Sequence, residues 1–138
     1  MKIILYILIF LYFPISLQAN LNNSKIEKIT PDLSNLWGIV KLNNSEILVT
    51  QRSGKLFKVD VFKKKTLEIK NLPEVVAKKQ GGLLDIEIKK TSEKLFVYIC
   101  FSKPEINKLS STAIVEAELN GSMLIKQKTL QHEFRLQV

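Results

Sequence analysis

Short runs of apolar residues alternating with polar ones fill most of the chain. Alternation with a period of two is typical of strands that bury one face. The runs predict eight strands, at residues 36–42, 47–51, 55–60, 66–70, 83–88, 95–101, 112–119 and 123–129. After residue 20, no stretch sustains the 3.6-residue period of an amphipathic helix. The pattern therefore predicts an all-β fold.

The turns between these runs divide the predicted strands into two sets of four. Asn-Gly at residues 120–121, between the last two runs, is a strong hairpin signal. The longest connection, residues 71–82, separates the fourth run from the fifth. Four-stranded sets are typical of the blades of a β-propeller, whereas eight short strands also suit a β-sandwich. Periodicity alone leaves both architectures open.

The first nineteen residues have the composition of a targeting segment. Lys2 precedes an apolar run over residues 3–17, and Ala19 ends the segment on a small side chain. This order is typical of a secretory signal peptide. The run is shorter than the about 20 residues that a membrane-spanning helix needs. We therefore predict cleavage after Ala19 and a secreted or periplasmic mature chain, residues 20–138, without a stable membrane span; a retained anchor is the alternative.

The composition excludes several kinds of site and partner. The 138 residues carry a net charge of +8 but contain one Cys and one His. These counts exclude a disulfide framework and a Cys/His zinc cluster. Only two basic residues are arginine, and the lysine runs lie between predicted strands. Proteins that grip phosphates and bases favour arginine, so we predict solvated loop charges, no nucleic-acid partner and no metal site in this chain.

Three segments together carry a family pattern. They are WG with LVTQRSG within residues 37–54, LPEVV with QGGLLD within residues 72–85, and the predicted strands at 95–99 and 110–119. In this order they resemble the N-terminal part of the glucose/sorbosone dehydrogenases, the soluble quinoprotein sugar dehydrogenases, over about residues 33–130. Four positions depart from the family pattern: Leu36, Gln51, Lys79 and Glu116 replace its usual Pro, Glu, Gly and Arg.

The resemblance implies a six-bladed β-propeller that binds pyrroloquinoline quinone (PQQ) and calcium. Such enzymes oxidise the anomeric hydroxyl of an aldose sugar, transfer hydride to the quinone and pass electrons to an acceptor. Six blades of about 40 residues need at least about 240 residues, so we expect about two blades here, an N-terminal fragment.

The family's catalytic His is expected beyond Val138, and no catalytic residue is assigned in this chain. His132 comes early and is not followed by Gly, so it is interpreted as a strand-end or loop residue. The chain alone is expected to be inactive and not to retain PQQ or calcium. The alternatives are a non-enzymatic exported propeller-like binding module and a small β-sandwich.

Gln80 is the one cofactor-binding residue that the resemblance assigns. Its amide can donate and accept hydrogen bonds, to the quinone or to sugar hydroxyls. Gly81 and Gly82 would let the backbone turn tightly beside a ligand. Without the resemblance, the same residues are interpreted as a turn that enters a strand.

Four other residues are candidates for a functional role, but a structural role is expected for each. Asp85 alternates with Glu87 and is expected on a solvated strand face. Trp37 is expected in core or inter-blade packing rather than against a sugar. Arg52 is expected to pair with a carboxylate of the next blade, and Cys100 to be a small buried hydrophobe.

If the chain is an N-terminal fragment, the nucleotide sequence after codon 138 should encode, in some frame, a His-aromatic-Gly segment and about four further blades. Sequencing the genomic region tests this expectation. Unrelated or non-coding sequence there would favour the small binding module.

Overall fold

The computed structural model describes residues 26–30 and 33–130, so the predicted signal segment and His132 lie outside the described residues. The strands are β1 (Leu36–Lys41), β2 (Glu46–Gln51), β3 (Lys55–Asp60), β4 (Lys65–Ile69), β5 (Leu83–Lys90), β6 (Leu95–Pro104), β7 (Ser110–Asn120) and β8 (Met123–Leu130). A single 3-10 turn, Ile106–Lys108, joins β6 to β7. The all-β prediction is confirmed.

The largest difference from the predicted boundaries lies in the β6–β7 hairpin, whose ladder continues to the pair Pro104–Ser110. Polar side chains beyond the apolar run hold this extension together. The Glu105 carboxylate accepts hydrogen bonds from Lys103 Nζ at 3.1 Å and from Ser111 Oγ at 2.8 Å. Periodicity of apolar residues carries no information about such contacts, so it ends the strands too early.

The strands form two separate four-stranded antiparallel sheets, each a simple meander, β1-β2-β3-β4 and β5-β6-β7-β8. Asx turns close two of the hairpins. Asn43 Oδ1 accepts from the backbone N–H of Ser45 and Glu46, and Asp60 Oδ1 accepts from those of Phe62 and Lys63. These local bonds fix the turn residues, so each sheet forms from contacts close in sequence.

The main core lies between the two sheets. One face of the first sheet buries Leu48, Leu56 and Ile69 in the same cluster as Ile99 and Phe101 of the second. The other face of the first sheet forms a smaller cluster. There Val49, Phe57 and Val59 are covered in part by Ile29 and Leu33 from the segment before β1. The alternation along β2 and β3 thus buries apolar residues on both faces of the first sheet.

A buried hydroxyl joins β1 and β2 of the first sheet to β5 of the second. Thr50 is fully buried, and its Oγ1 donates to the carbonyl of Leu84 in β5 at 2.6 Å. The same oxygen accepts from the N–H of Gly38 in β1 at 2.7 Å. A Cβ on Gly38 would lie 2.9 Å from the Leu84 carbonyl oxygen. Glycine at this position therefore lets β1 and β5 approach each other closely.

The two sheets repeat one irregularity at the same place. A one-residue register shift occurs in β1 between Leu36 and Ile39, and in β5 between Leu83 and Ile86. Thr50 and Cys100 are the residues opposite these two shifts. An extra residue on one strand bends it and increases its twist. The first strands of both sheets therefore carry the same irregularity, and the two sheets repeat one structural pattern.

We expect Thr50→Val to destabilise the fold by about 1–3 kcal/mol, because the Gly38 N–H and the Leu84 carbonyl lose their partner in the core. Urea unfolding followed through the fluorescence of Trp37, the single tryptophan, measures the change. Thr50→Ser is the matched control, since it keeps the hydroxyl and should cost about 1 kcal/mol or less. Equal losses in the two variants would contradict the role of the hydrogen bonds.

Candidate functional site

The connection between the two sheets, residues 71–82, ends in a loop that both sheets hold. On the side of the second sheet, Ser102 makes three hydrogen bonds to it. Its carbonyl accepts from the N–H of Val76 at 2.8 Å, its N–H donates to the carbonyl of Gly82 at 2.9 Å, and its Oγ accepts from the Gly82 N–H at 3.1 Å. Ser102 is buried at the end of the β6 core segment, so the loop is tied to a rigid strand.

On the side of the first sheet, Arg52 holds the same loop. Its Nε donates to the carbonyl of Gly81 at 3.0 Å, and its Nη2 donates to the carbonyl of Lys79. Its backbone carbonyl accepts from the N–H of Leu83 at 3.0 Å. The partners of the guanidinium are carbonyl oxygens of the connection, so the expected pairing with a carboxylate is wrong.

Both glycines are required by the space around them, and Gly82 also by its positive φ. A Cβ on Gly81 would lie 2.7 Å from Ser102 Oγ and 2.9 Å from the carbonyl oxygen of Val76. A Cβ on Gly82, whose φ is +155°, would lie 2.5 Å from the carbonyl oxygen of Arg52. Contacts this short leave no room for a side chain. The QGG motif is therefore a close-packed junction rather than an open turn.

Gln80 lies between the two carbonyls that Arg52 binds, and its side chain is exposed. Lys78 and Lys79 next to it are also exposed. The loop thus presents an uncharged amide beside two cations on a backbone that both sheets fix. An amide that can donate and accept, next to positive charge, suits a polar ligand with anionic groups.

Asp85 follows the junction on β5 and is exposed, as the sequence predicts. Its Oδ1 accepts from the N–H of Ile86 at 2.9 Å. Cys100 lies opposite this part of β5 and is only partly buried, so the expectation of a buried hydrophobe is wrong in degree. Desolvation, and to a lesser extent the charge of Asp85, raises the pKa of the Cys100 thiol. The thiol is therefore a poor nucleophile at neutral pH.

Trp37 does not pack between the two described sheets, and its expected packing against a further blade stays a prediction. Its side chain is 54% exposed and lies on the side of the first sheet away from the second. There it lines a cleft of about 330 Å³ with Ile29, Ile39, Val49 and other residues. Gln80 does not line this cleft, so the structure does not bring Trp37 and Gln80 together.

Sequence reasoning missed two hydroxyl residues: Thr50, which joins β1 and β2 to β5, and Ser102, which ties the junction. Each lies in or directly after an apolar strand segment, where a small polar residue is unremarkable in a sequence. The signal that points to Thr50 is indirect. Trp37-Gly38 interrupts the alternation of β1, and a Gly within a strand indicates a bulge or a close backbone approach.

Two features are absent from the described ranges, 26–30 and 33–130. They contain no cluster of three or more His, Cys, Asp or Glu side chains placed to hold a metal ion. Within the same ranges, no helix has the length and apolar character needed to cross a membrane.

Comparison with known proteins identifies the family. The profile of the family described as glucose/sorbosone dehydrogenase matches residues 33–136. This is more than half of the chain, so the protein belongs to the glucose/sorbosone dehydrogenase family. An uncharacterized protein of Synechocystis sp. is 29% identical over 119 residues, which cover 78% of this chain and 28% of that protein.

Solved structures show the same fold. A crystal structure of a glucose dehydrogenase is 26% identical, with a TM-score of 0.62 over 70% of this chain and 29% of that one. The soluble aldose sugar dehydrogenase of Escherichia coli, in its apo form, is 23% identical, with a TM-score of 0.68 over 78% and 32%. The PQQ-bound aldose sugar dehydrogenase of Streptomyces coelicolor is 23% identical, with a TM-score of 0.65 over 75% and 32%.

These matches decide between the two architectures that periodicity left open. The two sheets are blades of the β-propeller of the sugar dehydrogenases, and the β-sandwich interpretation is wrong. The chain spans 28% of the curated relative and 29–32% of these solved structures. The family resemblance that the motifs indicated is thus confirmed.

We expect Gly82→Ala to destabilise the junction by at least about 2 kcal/mol, since the new methyl group would overlap the Arg52 carbonyl. Gly121→Ala is the matched control. Gly121 also has a positive φ, but a Cβ there meets nothing within 4 Å, so only the backbone strain of about 1 kcal/mol remains. Urea unfolding measures both. A Gly82→Ala loss no greater than that of Gly121→Ala would contradict the close packing described above.

Proposed function

We propose that this chain supplies the first two blades of a PQQ-dependent aldose sugar dehydrogenase, in which Gln80 contacts the cofactor or the sugar. The observation that carries the proposal is the QGG junction. It presents one exposed amide on a loop that Arg52 and Ser102 hold from opposite sides. A fixed polar group of this kind orients a ligand at little entropic cost.

The residues at the junction fit PQQ in charge and in donor type. PQQ is a planar quinone that carries carboxylates, and it accepts a hydride from the sugar when bound. Lys78 and Lys79 would attract the carboxylates, and the Gln80 amide would donate to a quinone or carboxylate oxygen. Asp85, the exposed carboxylate nearest along the chain after the junction, would disfavour an anion and sets a limit on where the cofactor can lie.

A sugar substrate suits the same amide. Aldose hydroxyls both donate and accept, as the Gln80 side chain does. The general base is proposed to lie outside this sequence, because its single histidine, His132, lacks the family's following Gly. Calcium is assigned to the complete enzyme and not to the described residues of this chain. Export through residues 1–19 would place the protein in the periplasm or the medium, where aldoses and a separate electron acceptor are available.

The chain by itself is expected to show no sugar oxidation. Purified residues 20–138, mixed with PQQ, calcium and glucose, should not reduce a dye acceptor, because they do not include the family's His segment. Sugar-dependent dye reduction that His132→Ala abolishes would overturn this expectation and make His132 the base.

A chimera tests the role of Gln80 directly. Residues 26–130 replace the matching blades of the E. coli aldose sugar dehydrogenase, and dye reduction is assayed with PQQ, calcium and glucose. Gln80→Ala should lower kcat/KM by about 10- to 100-fold, the effect of one or two lost hydrogen bonds.

Gln127→Ala is the matched control in this chimera, since Gln127 is an exposed amide on β8 that donates to the carbonyl of Asn71. It should leave kcat/KM within about twofold. An active chimera that Gln80→Ala does not impair would refute the role of Gln80. A chimera that folds and stays inactive would favour a non-enzymatic binding module.

A further inference from the structure

We propose that Arg52 is the positioning residue of Gln80, fixing the backbone on both sides of that side chain from the neighbouring blade. The proposal rests on the proposed function in taking Gln80 as the ligand contact. It assigns to Arg52 a role in the site although its side chain points into the junction.

The geometry of the guanidinium is the first support. Its two donors bind the carbonyls of Lys79 and Gly81, the residues directly before and after Gln80. The Lys79 carbonyl belongs to the peptide unit directly before the Gln80 Cα, and the Gly81 carbonyl belongs to the second peptide unit after it. Because the two bonds bracket Gln80 in the chain, Arg52 restrains the backbone from which the Gln80 side chain projects.

The second support is that Arg52 is itself fixed by both blades. Its N–H donates to the carbonyl of Asn35, at the start of β1, at 3.0 Å. Its carbonyl accepts from the N–H of Leu83, at the start of β5, at 3.0 Å. The turn after it packs closely as well, since a Cβ on Gly54 would lie 3.3 Å from Val75 Cβ. Because the Arg52 backbone is held in this way, its guanidinium holds the loop at a fixed place relative to the first blade.

The third support is chemical. A planar guanidinium presents several N–H groups in a fixed fork and can bind two separated carbonyls at once. A lysine ammonium is a compact charge on a flexible stem and cannot reproduce that fork. Arg52→Lys therefore keeps the charge and removes the two-point contact. This separates positioning from electrostatic attraction of an anionic ligand.

Hydrogen exchange in the full chain tests the positioning. The N–H groups of Gly81 and Gly82 are bonded to the Lys78 carbonyl and to Ser102 Oγ, so their exchange reports opening of the loop. Arg52→Lys should accelerate both by at least about tenfold, as measured by NMR, because charge-assisted hydrogen bonds that hold the loop closed are lost.

Lys90→Gln is the matched control. Lys90 Nζ also donates to a carbonyl of the other sheet, that of Leu42, at the opposite end of β5. The control should leave exchange at Gly81 and Gly82 within about twofold. No acceleration in Arg52→Lys, or equal acceleration in Lys90→Gln, would overturn the proposal in favour of general support of the inter-sheet contact.

A double-mutant cycle in the chimera adds a functional readout. Arg52→Lys should lower kcat/KM by about tenfold when Gln80 is present, and by less than about twofold in the Gln80→Ala background. Equal losses in both backgrounds would show a merely structural role and refute the proposal. If Gln80→Ala alone has no effect, the proposed function fails, and the exchange measurement still decides the role of Arg52.

Discussion

The close approach of β5 to the first sheet is the constraint on which the described structure depends. Two residues near the end of β2 enforce it. The Thr50 hydroxyl binds the carbonyl of Leu84, and the Arg52 carbonyl binds the N–H of Leu83. Burial of apolar side chains alone would let the two sheets slide, because it is not directional. These two hydrogen bonds fix the position of β5 along β2. They therefore also fix the position of the QGG junction, which directly precedes β5.

The two blades repeat one design, and the loop that carries Gln80 lies where the first repeat passes into the second. The first strand of each blade, β1 or β5, has an irregularity at the same place. Thr50 pairs with Leu56, which pairs with Ile69; Cys100 pairs with Ile114, which pairs with Leu130. The second set lies on the face of the second blade turned away from the first. The two blades thus present equivalent surfaces on the side that faces the next position along the chain.

The fold was predictable because its signals are local. Alternation of apolar residues located all eight strands, and the Asn120-Gly121 turn marked the last hairpin. The choice between sandwich and propeller needed the family motifs, since both architectures bury alternate faces of short antiparallel strands. The candidate site was harder to predict from the sequence than the fold. Gln80 was proposed only through the resemblance, and its role stays a prediction. The partners of Arg52 are main-chain carbonyls, which have no residue type for a sequence pattern to reveal.

The arrangement also explains why the motif carries two glycines and a distant arginine together. The side chains of Lys78, Lys79 and Gln80 are exposed, so they do not anchor this loop to the core. Its backbone has to be held instead, and backbone carbonyls are held best by a charged multidentate donor. Gly81 and Gly82 let the loop come close enough for Ser102 and Arg52 to reach it. The backbone that carries the exposed Gln80 amide is in this way fixed to both blades.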